Sequence, residues 1–261
     1  MKIKIIILGI IILISLISLT TFKVLSRSQK EQIEELQSAP DKGTIAWYAR
    51  LAKAKGERKI VTPMMTISCY STVENLDEAL SEFSPVVAQP IRKKSYITGA
   101  LVLDSDNEIR KLDKDDQIHT WYKFRILENL SGKSLRGCSS CQDDVDWEKL
   151  IPQDMLPVNK DEIMMRVDGG TVEIDGVTVT EIYQLPKFSE SNRYLLFLAT
   201  ENSEKVAGFG MGRSGIYTIS PENKLIPASK ENDRVIHDIT SLYNSSLDSL
   251  KTYIWNRPST K

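Results

Sequence analysis

Thr120-Trp-Tyr-Lys-Phe-Arg-Ile-Leu127 alternates two sets of side chains. Trp121, Lys123 and Arg125 fall on one side, and Tyr122, Phe124 and Ile126 on the other. Period two over eight residues predicts a strand with one polar and one apolar face. The texture around it agrees. Lys59 to Thr62 and Met64 to Thr72 are rich in β-branched residues, with Pro63 marking an edge or bend. Val86 to Gln89, Tyr96 to Leu103 and Ile163 to Val167 are further expected strands. Tyr194 to Ala199 is an unbroken apolar run, which predicts a strand buried on both faces. Ile216 to Ile219 is another strand, and Pro221 ends the β region. Between them, Thr171-Val-Glu-Ile174, Asp175-Gly176 and Val177-Thr-Val-Thr180 predict a hairpin with a two-residue type I′ turn.

Helices flank this pattern. Leu76, Ala79, Leu80 and Phe83 recur at helical spacing, so Leu76 to Phe83 reads as a short helix. Ile236, Ile239, Tyr243, Leu250 and Ile254 form one stripe of an amphipathic helix expected over Asp233 to Trp255. Thr44 caps a helix whose expected face is Ile45, Tyr48, Leu51 and Ala52. On its other faces lie Arg50, Lys53 and Lys55. It reads as a helix packed on the domain, with a basic helix resting on anionic lipid as the alternative. The class is mainly β (α+β): many short strands, turn signals between them and peripheral helices, as in a small antiparallel barrel or sandwich.

The opening is different. After Met1-Lys-Ile-Lys4, the 18 residues from Ile5 to Phe22 carry no charge. As a helix they span about 27 Å, close to a hydrocarbon core of roughly 30 Å. The reading is a membrane anchor through residues 5–22, with a cleaved signal peptide as the alternative. No cysteine precedes Cys69, so lipoprotein processing has no residue to modify. Lys2 and Lys4 precede the run, and Lys23, Arg27 and Lys30 follow it, so basic residues alone do not orient it. The short N-terminal tail, the signal-like sequence and the cysteine usage point to a bulk on the extracytoplasmic side. The expected organisation is an anchor or signal over 1–25, a helical juxtamembrane stalk over 26–58, the barrel-like domain over 59–226 and a C-terminal amphipathic helix over 227–261. Of 261 residues, 41% are hydrophobic and 26% charged, with a net charge of −1. That balance fits an ordinary globular protein and argues against a nucleic-acid binder, which needs a basic face to neutralise phosphates.

The order of strings resembles a known domain. Leu76-Asp-Glu-Ala-Leu80 precedes Pro85-Val-Val-Ala88. Then follow Trp121-Tyr-Lys-Phe-Arg-Ile-Leu-Glu-Asn-Leu-Ser-Gly132, the Gly169-Gly170 strand end and Phe188-Ser-Glu-Ser-Asn-Arg-Tyr-Leu-Leu-Phe-Leu198. Over roughly residues 64–220 this resembles uncharacterised secreted bacterial proteins and, more distantly, the netrin-like domain shared with tissue inhibitors of metalloproteinases. The resemblance implies an OB-like barrel. It does not carry inhibition: that activity uses an N-terminal cysteine, whereas Cys69 lies deep in this chain and the other family cysteines are missing.

The chemistry is sparse. Cys138-Ser-Ser-Cys141 is the candidate disulfide, leaving Cys69 as the odd thiol. A thiol–disulfide exchange site or half of a metal site are the alternatives. Asp143, Asp144 and Asp146 next to it oppose a thiolate and so weigh against exchange. His119 and His237 lie on separate elements and complete neither a zinc set nor a Ser/His/Asp triad. Gly210-Met-Gly212-Arg-Ser-Gly215 matches a dinucleotide motif, but a strand follows it rather than a helix, so it reads as a loop. Asp104, Asp106, Asn107 and Glu108 lack the full calcium-loop pattern and read as a turn. No catalytic residue, metal ligand or cofactor is assigned. The expectation is a tethered binding module for an unknown protein or small molecule, with a redox or metal role for Cys138 and Cys141 as the alternative.

Overall fold

The computed structural model describes residues 28–62, 73–98, 101–103, 109–111, 117–132, 135, 147–182, 185–200, 203–230 and 233–257. The apolar run Ile5–Phe22, all three cysteines and the Asp104–Glu108 turn lie outside them. The chain divides into two units. The smaller comprises the chain up to Thr62 plus Thr171–Thr180, and the larger comprises Pro63–Gly170 and Glu181–Lys261.

In the smaller unit, residues 28–37 are helical (α1). Helix α2 spans Ile45–Ala54, and the Thr44 hydroxyl accepts the Trp47 amide as its cap. Its buried residues are Ile45, Trp47, Ala49 and Ala52. The expected face was centred on Tyr48 and Leu51, which are half-buried. The shift follows Trp47, whose indole N–H donates to the Leu36 carbonyl at 2.6 Å and so turns that side of α2 toward α1. Strand β1 (Lys59–Thr62) joins β8 (Val177–Glu181) and β7 (Gly170–Ile174) in the order β1-β8-β7. Asp175 and Gly176 both have positive φ, 50° and 79°, as the type I′ turn requires. Residues 28–62 thus share one unit with a hairpin from much later in the sequence.

The larger unit is built on antiparallel strands: β2 (Ser84–Thr98), β5 (Gln117–Asn129), β6 (Glu162–Asp168), β9 (Arg193–Thr200), β11 (Ile216–Ile219) and β12 (Leu225–Pro227). They run β12-β11-β9-β2-β5-β6, and β10 (Ala207–Phe209) pairs β9 as well. Short β3 (Leu101–Leu103) and β4 (Ile109–Lys111) pair separately. The chain is thus α+β with mostly antiparallel sheet, as its sequence pattern predicts. The ladders do not close into a barrel; β6 and the approach to β10 meet only at the isolated parallel bridge Met164–Val206. Among the described residues no helix is long and apolar enough to cross a membrane.

Two expected strands, Val86–Gln89 and Tyr96–Leu103, are largely one. β2 runs on through Pro90 by register shifts at Val87/Ala88 and Pro90/Arg92, which absorb the proline's missing donor. The expected C-terminal helix is, conversely, broken. Helix α4 (Arg234–His237) continues as one π-helical turn, Asp238–Leu242, before α5 (Leu247–Asn256) begins with Ser246 as its cap. Asn244 and Ser245 take positive φ at the break. The break places the Ser245 carbonyl where it accepts the Leu225 amide at 2.7 Å and lets Leu247 donate to Asn223 at 3.0 Å, tying it to the β11–β12 turn.

β9 is apolar on both faces because it separates two cores. Leu195, Phe197 and Ala199 pack with α3 (Leu76–Glu82), α4 and α5. Tyr194, Leu196 and Leu198 face the other core with Val86, Ala88, Tyr122 and Phe124. Phe188 is the keystone of that second core. Its ring meets Tyr122, Phe124 and Tyr194 edge-on at 5.2, 5.1 and 5.0 Å and stacks on Phe209 at 5.4 Å. Phe188→Ala should cost about 3–5 kcal/mol of stability. Denaturant unfolding of the variant checks this, and a loss below about 1 kcal/mol contradicts it.

Candidate functional site: the charged face of β2, β5 and β6

The alternation read from Thr120–Leu127 sets this site. Tyr122 and Phe124 point into the core around Phe188. His119, Trp121 and Lys123 point to the opposite face, yet they too are buried. The reason is the segment after the cysteine loop: 3-10 turns Trp147–Leu150 and Gln153–Met155 bring Ile151 and Met155 against Trp121 and Met164. A face that pattern alone assigns to water is thereby covered.

Burial forces its charges into partnerships. His119 stands opposite Asp168 in the β5–β6 ladder. Its Nδ1 lies 2.9 Å from Asp168 Oδ1, and its Nε2 lies 2.7 Å from Arg166 Nη2. Arg166 Nη2 also lies 3.1 Å from Nδ1; arginine only donates, so in the neutral ring the nearer Nε2 accepts and Nδ1–H faces Asp168. Burial pushes the imidazole's pKa below its ordinary 6.5; the bond to Asp168 opposes this and the Arg166 charge adds to it. His119 therefore has a partner at each ring nitrogen. Two turns of strand away, Lys123 Nζ donates to the Pro157 carbonyl at 2.6 Å and lies 3.7 Å from Glu162 Oε2. Burial pushes the Glu162 carboxyl up, but hydrogen bonds from Asn159 and the charges of Lys123 and Arg125 outweigh it, and the net shift is downward. At the exposed rim, Asp154 accepts from the Tyr96 hydroxyl at 2.6 Å and pairs with Lys94. The Lys94 and Tyr96 hydrogen bonds hold its carboxyl below the usual range.

On the other face of the same strands, the Thr120 hydroxyl donates to the Gly169 carbonyl and so accepts from Ser95, each at 2.8 Å. A Cβ on Gly170 would stand 2.5 Å from Thr120 Oγ1, which accounts for the glycine there.

These networks fix strands against one another, and they leave the buried imidazole no lone pair for proton abstraction. Among the described residues no group of three or more His, Cys, Asp or Glu side chains is placed to hold a metal ion. The Gly210–Gly215 motif forms a 3-10 turn, Gly212–Gly215, leading into β11, so no phosphate-binding helix follows it. Gly210 packs against Phe83, leaving no room for a Cβ. His237 is exposed beside Asp238. The candidate disulfide residues Cys138 and Cys141 fall outside the described residues. Sequence pattern expected neither the His119–Asp168–Arg166 cluster nor the Lys123–Glu162 pair. The available signal was a polar set on one face of two strands, Lys123 with His119 and Arg166 with Asp168, but only the register joins them.

Compared with models of protein families, with curated proteins and with solved structures, the chain finds no match.

The His119 environment makes stability pH-dependent. The unfolded chain takes up a proton near the ordinary value of 6.5, whereas the folded imidazole resists it. The contribution is complete above that value and is lost as pH falls below it, until the folded imidazole also protonates. Unfolding free energies measured across this range should fall on acidification in the wild type and fall less steeply in His119→Gln. Parallel profiles contradict the assignment.

Proposed function

We propose that this chain is a membrane-tethered interaction module on the extracytoplasmic side, binding a protein or small-molecule partner without catalysis. The observation that carries the reading is the uncharged 18-residue run Ile5–Phe22 set directly before a folded α+β body. Its length suits a single bilayer span. The electrostatics of the body agree: buried His119, Lys123 and Glu162 are held by neighbouring side chains and backbone groups, an arrangement suited to a rigid scaffold.

The scaffold reading is an OB-type barrel, as the netrin-like resemblance implies. Support comes from a circuit of pairings. β9 pairs β2, β2 pairs β5 and β5 pairs β6, all antiparallel. β6 then meets Val206 in a parallel bridge, and β10, which begins at the next residue, pairs back to β9. The circuit of five strands suits a partly open Greek-key barrel. Loops at its rim would present the binding surface.

Alkaline carbonate extraction and protease treatment of intact and permeabilised cells test the tether. The chain should stay with the membrane pellet and be digested without breaching the inner membrane. Release into the supernatant, or protection until that membrane is opened, contradicts the proposal.

A further inference from the structure

The smaller unit concentrates charge at one end. Between Arg50 and Lys59 the sequence carries Arg50, Lys53, Lys55, Arg58 and Lys59 against one acid, Glu57. All six are exposed. Arg50 is paired with Asp41. Glu35 and Asp175 share a cleft with Arg50 and Lys53. The uncompensated charge therefore sits at Lys55, Arg58 and Lys59, with Lys53 at its margin.

The fold decides where this end lies along the chain's path. Trp47, at the start of α2, bonds Leu36 at the end of α1. The last turn of α2, at Lys53 and Ala54, lines the same cleft as Gln32, Glu35 and Leu36 of α1. Helix α2 thus folds back along α1, and its basic end returns to the part of the chain nearest the apolar run. Phe22 and Ser28 are six residues apart, a separation of at most about 22 Å. The turn is also held in place: the Glu57 amide donates to Ala52 at 2.8 Å, and the Thr178 amide of β8 donates to the Arg58 carbonyl at 2.9 Å.

We propose that Lys53, Lys55, Arg58 and Lys59 form a docking surface for anionic phospholipid headgroups of the leaflet facing the domain. The inference rests on the anchor reading of Ile5–Phe22. Fixed cations within reach of a negatively charged surface are attracted to it, and salt screens the attraction. Docking would convert a single-span tether into a two-point attachment and fix the orientation of the smaller unit on the membrane.

Lysine acetylation footprinting of the full chain in lipid nanodiscs tests this. Lys160 and Lys230, exposed in the larger unit, are the internal references. Replacing phosphatidylcholine with a mixture containing about 30% phosphatidylglycerol should slow acetylation of Lys53, Lys55 and Lys59 by about threefold or more relative to the references, and about 0.5 M salt should abolish the difference. A Lys55→Gln/Arg58→Gln variant should restore the rates at Lys53 and Lys59. Equal relative rates in the two lipids, with the chain retained in the discs, overturn the docking surface alone. A chain that does not remain with phosphatidylcholine discs overturns the anchor reading, and the docking surface with it.

Discussion

Burial of β5 on both faces is the constraint on which the larger unit depends. One face places Tyr122 and Phe124 against Phe188. The other buries His119, sets Trp121 against Ile151 and Met155, and ties Lys123 to Pro157. A strand sealed on both sides must satisfy every polar group it carries inward. This is why His119, Lys123, Asp168, Arg166 and Glu162 are bound to one another or to backbone carbonyls. It also explains why β2 follows β5 through twelve residue pairs despite Pro90: slipping the register by one residue would exchange a phenylalanine for a lysine in the core.

Much of this was legible in the sequence wherever the determining signal was local. Alternation at Thr120–Leu127, the apolar run at Tyr194–Ala199 and Asp175-Gly176 each specify their own backbone, and each is found as expected. Features set by distant partners were not legible. The continuity of β2 through Pro90 depends on bulges that only a paired strand reveals. The break at Asn244–Ser245 interrupts a good helical stripe because the β11–β12 turn takes up the freed backbone groups. His119 and Asp168 are 49 residues apart, and only the register of β5 against β6 joins them.

The same division separates the two levels of the functional reading. The proposed tether rests on eighteen consecutive residues, because a bilayer span is set by local length and hydropathy. A binding surface depends on which loops meet at the rim of the sheet, and those loops are irregular segments with no periodicity to read. The smaller unit lies between these cases. Its basic residues are plain in sequence, but that they fold back along residues 28–37 follows from the bond of Trp47 to Leu36.

The cover that seals the charged face of β5 includes Met164 and Val206, which meet in an isolated parallel bridge. The most direct test of that seal is amide hydrogen exchange at Met164, whose N–H donates to the Lys205 carbonyl at 2.7 Å across that junction. If that cover is closed over β5, this amide exchanges on the timescale of the β5 ladder amides, because exposing it requires lifting the cluster around Trp121. Exchange of Met164 at the rate of an exposed sheet edge, with the rest of β5 still protected, would contradict a sealed β5.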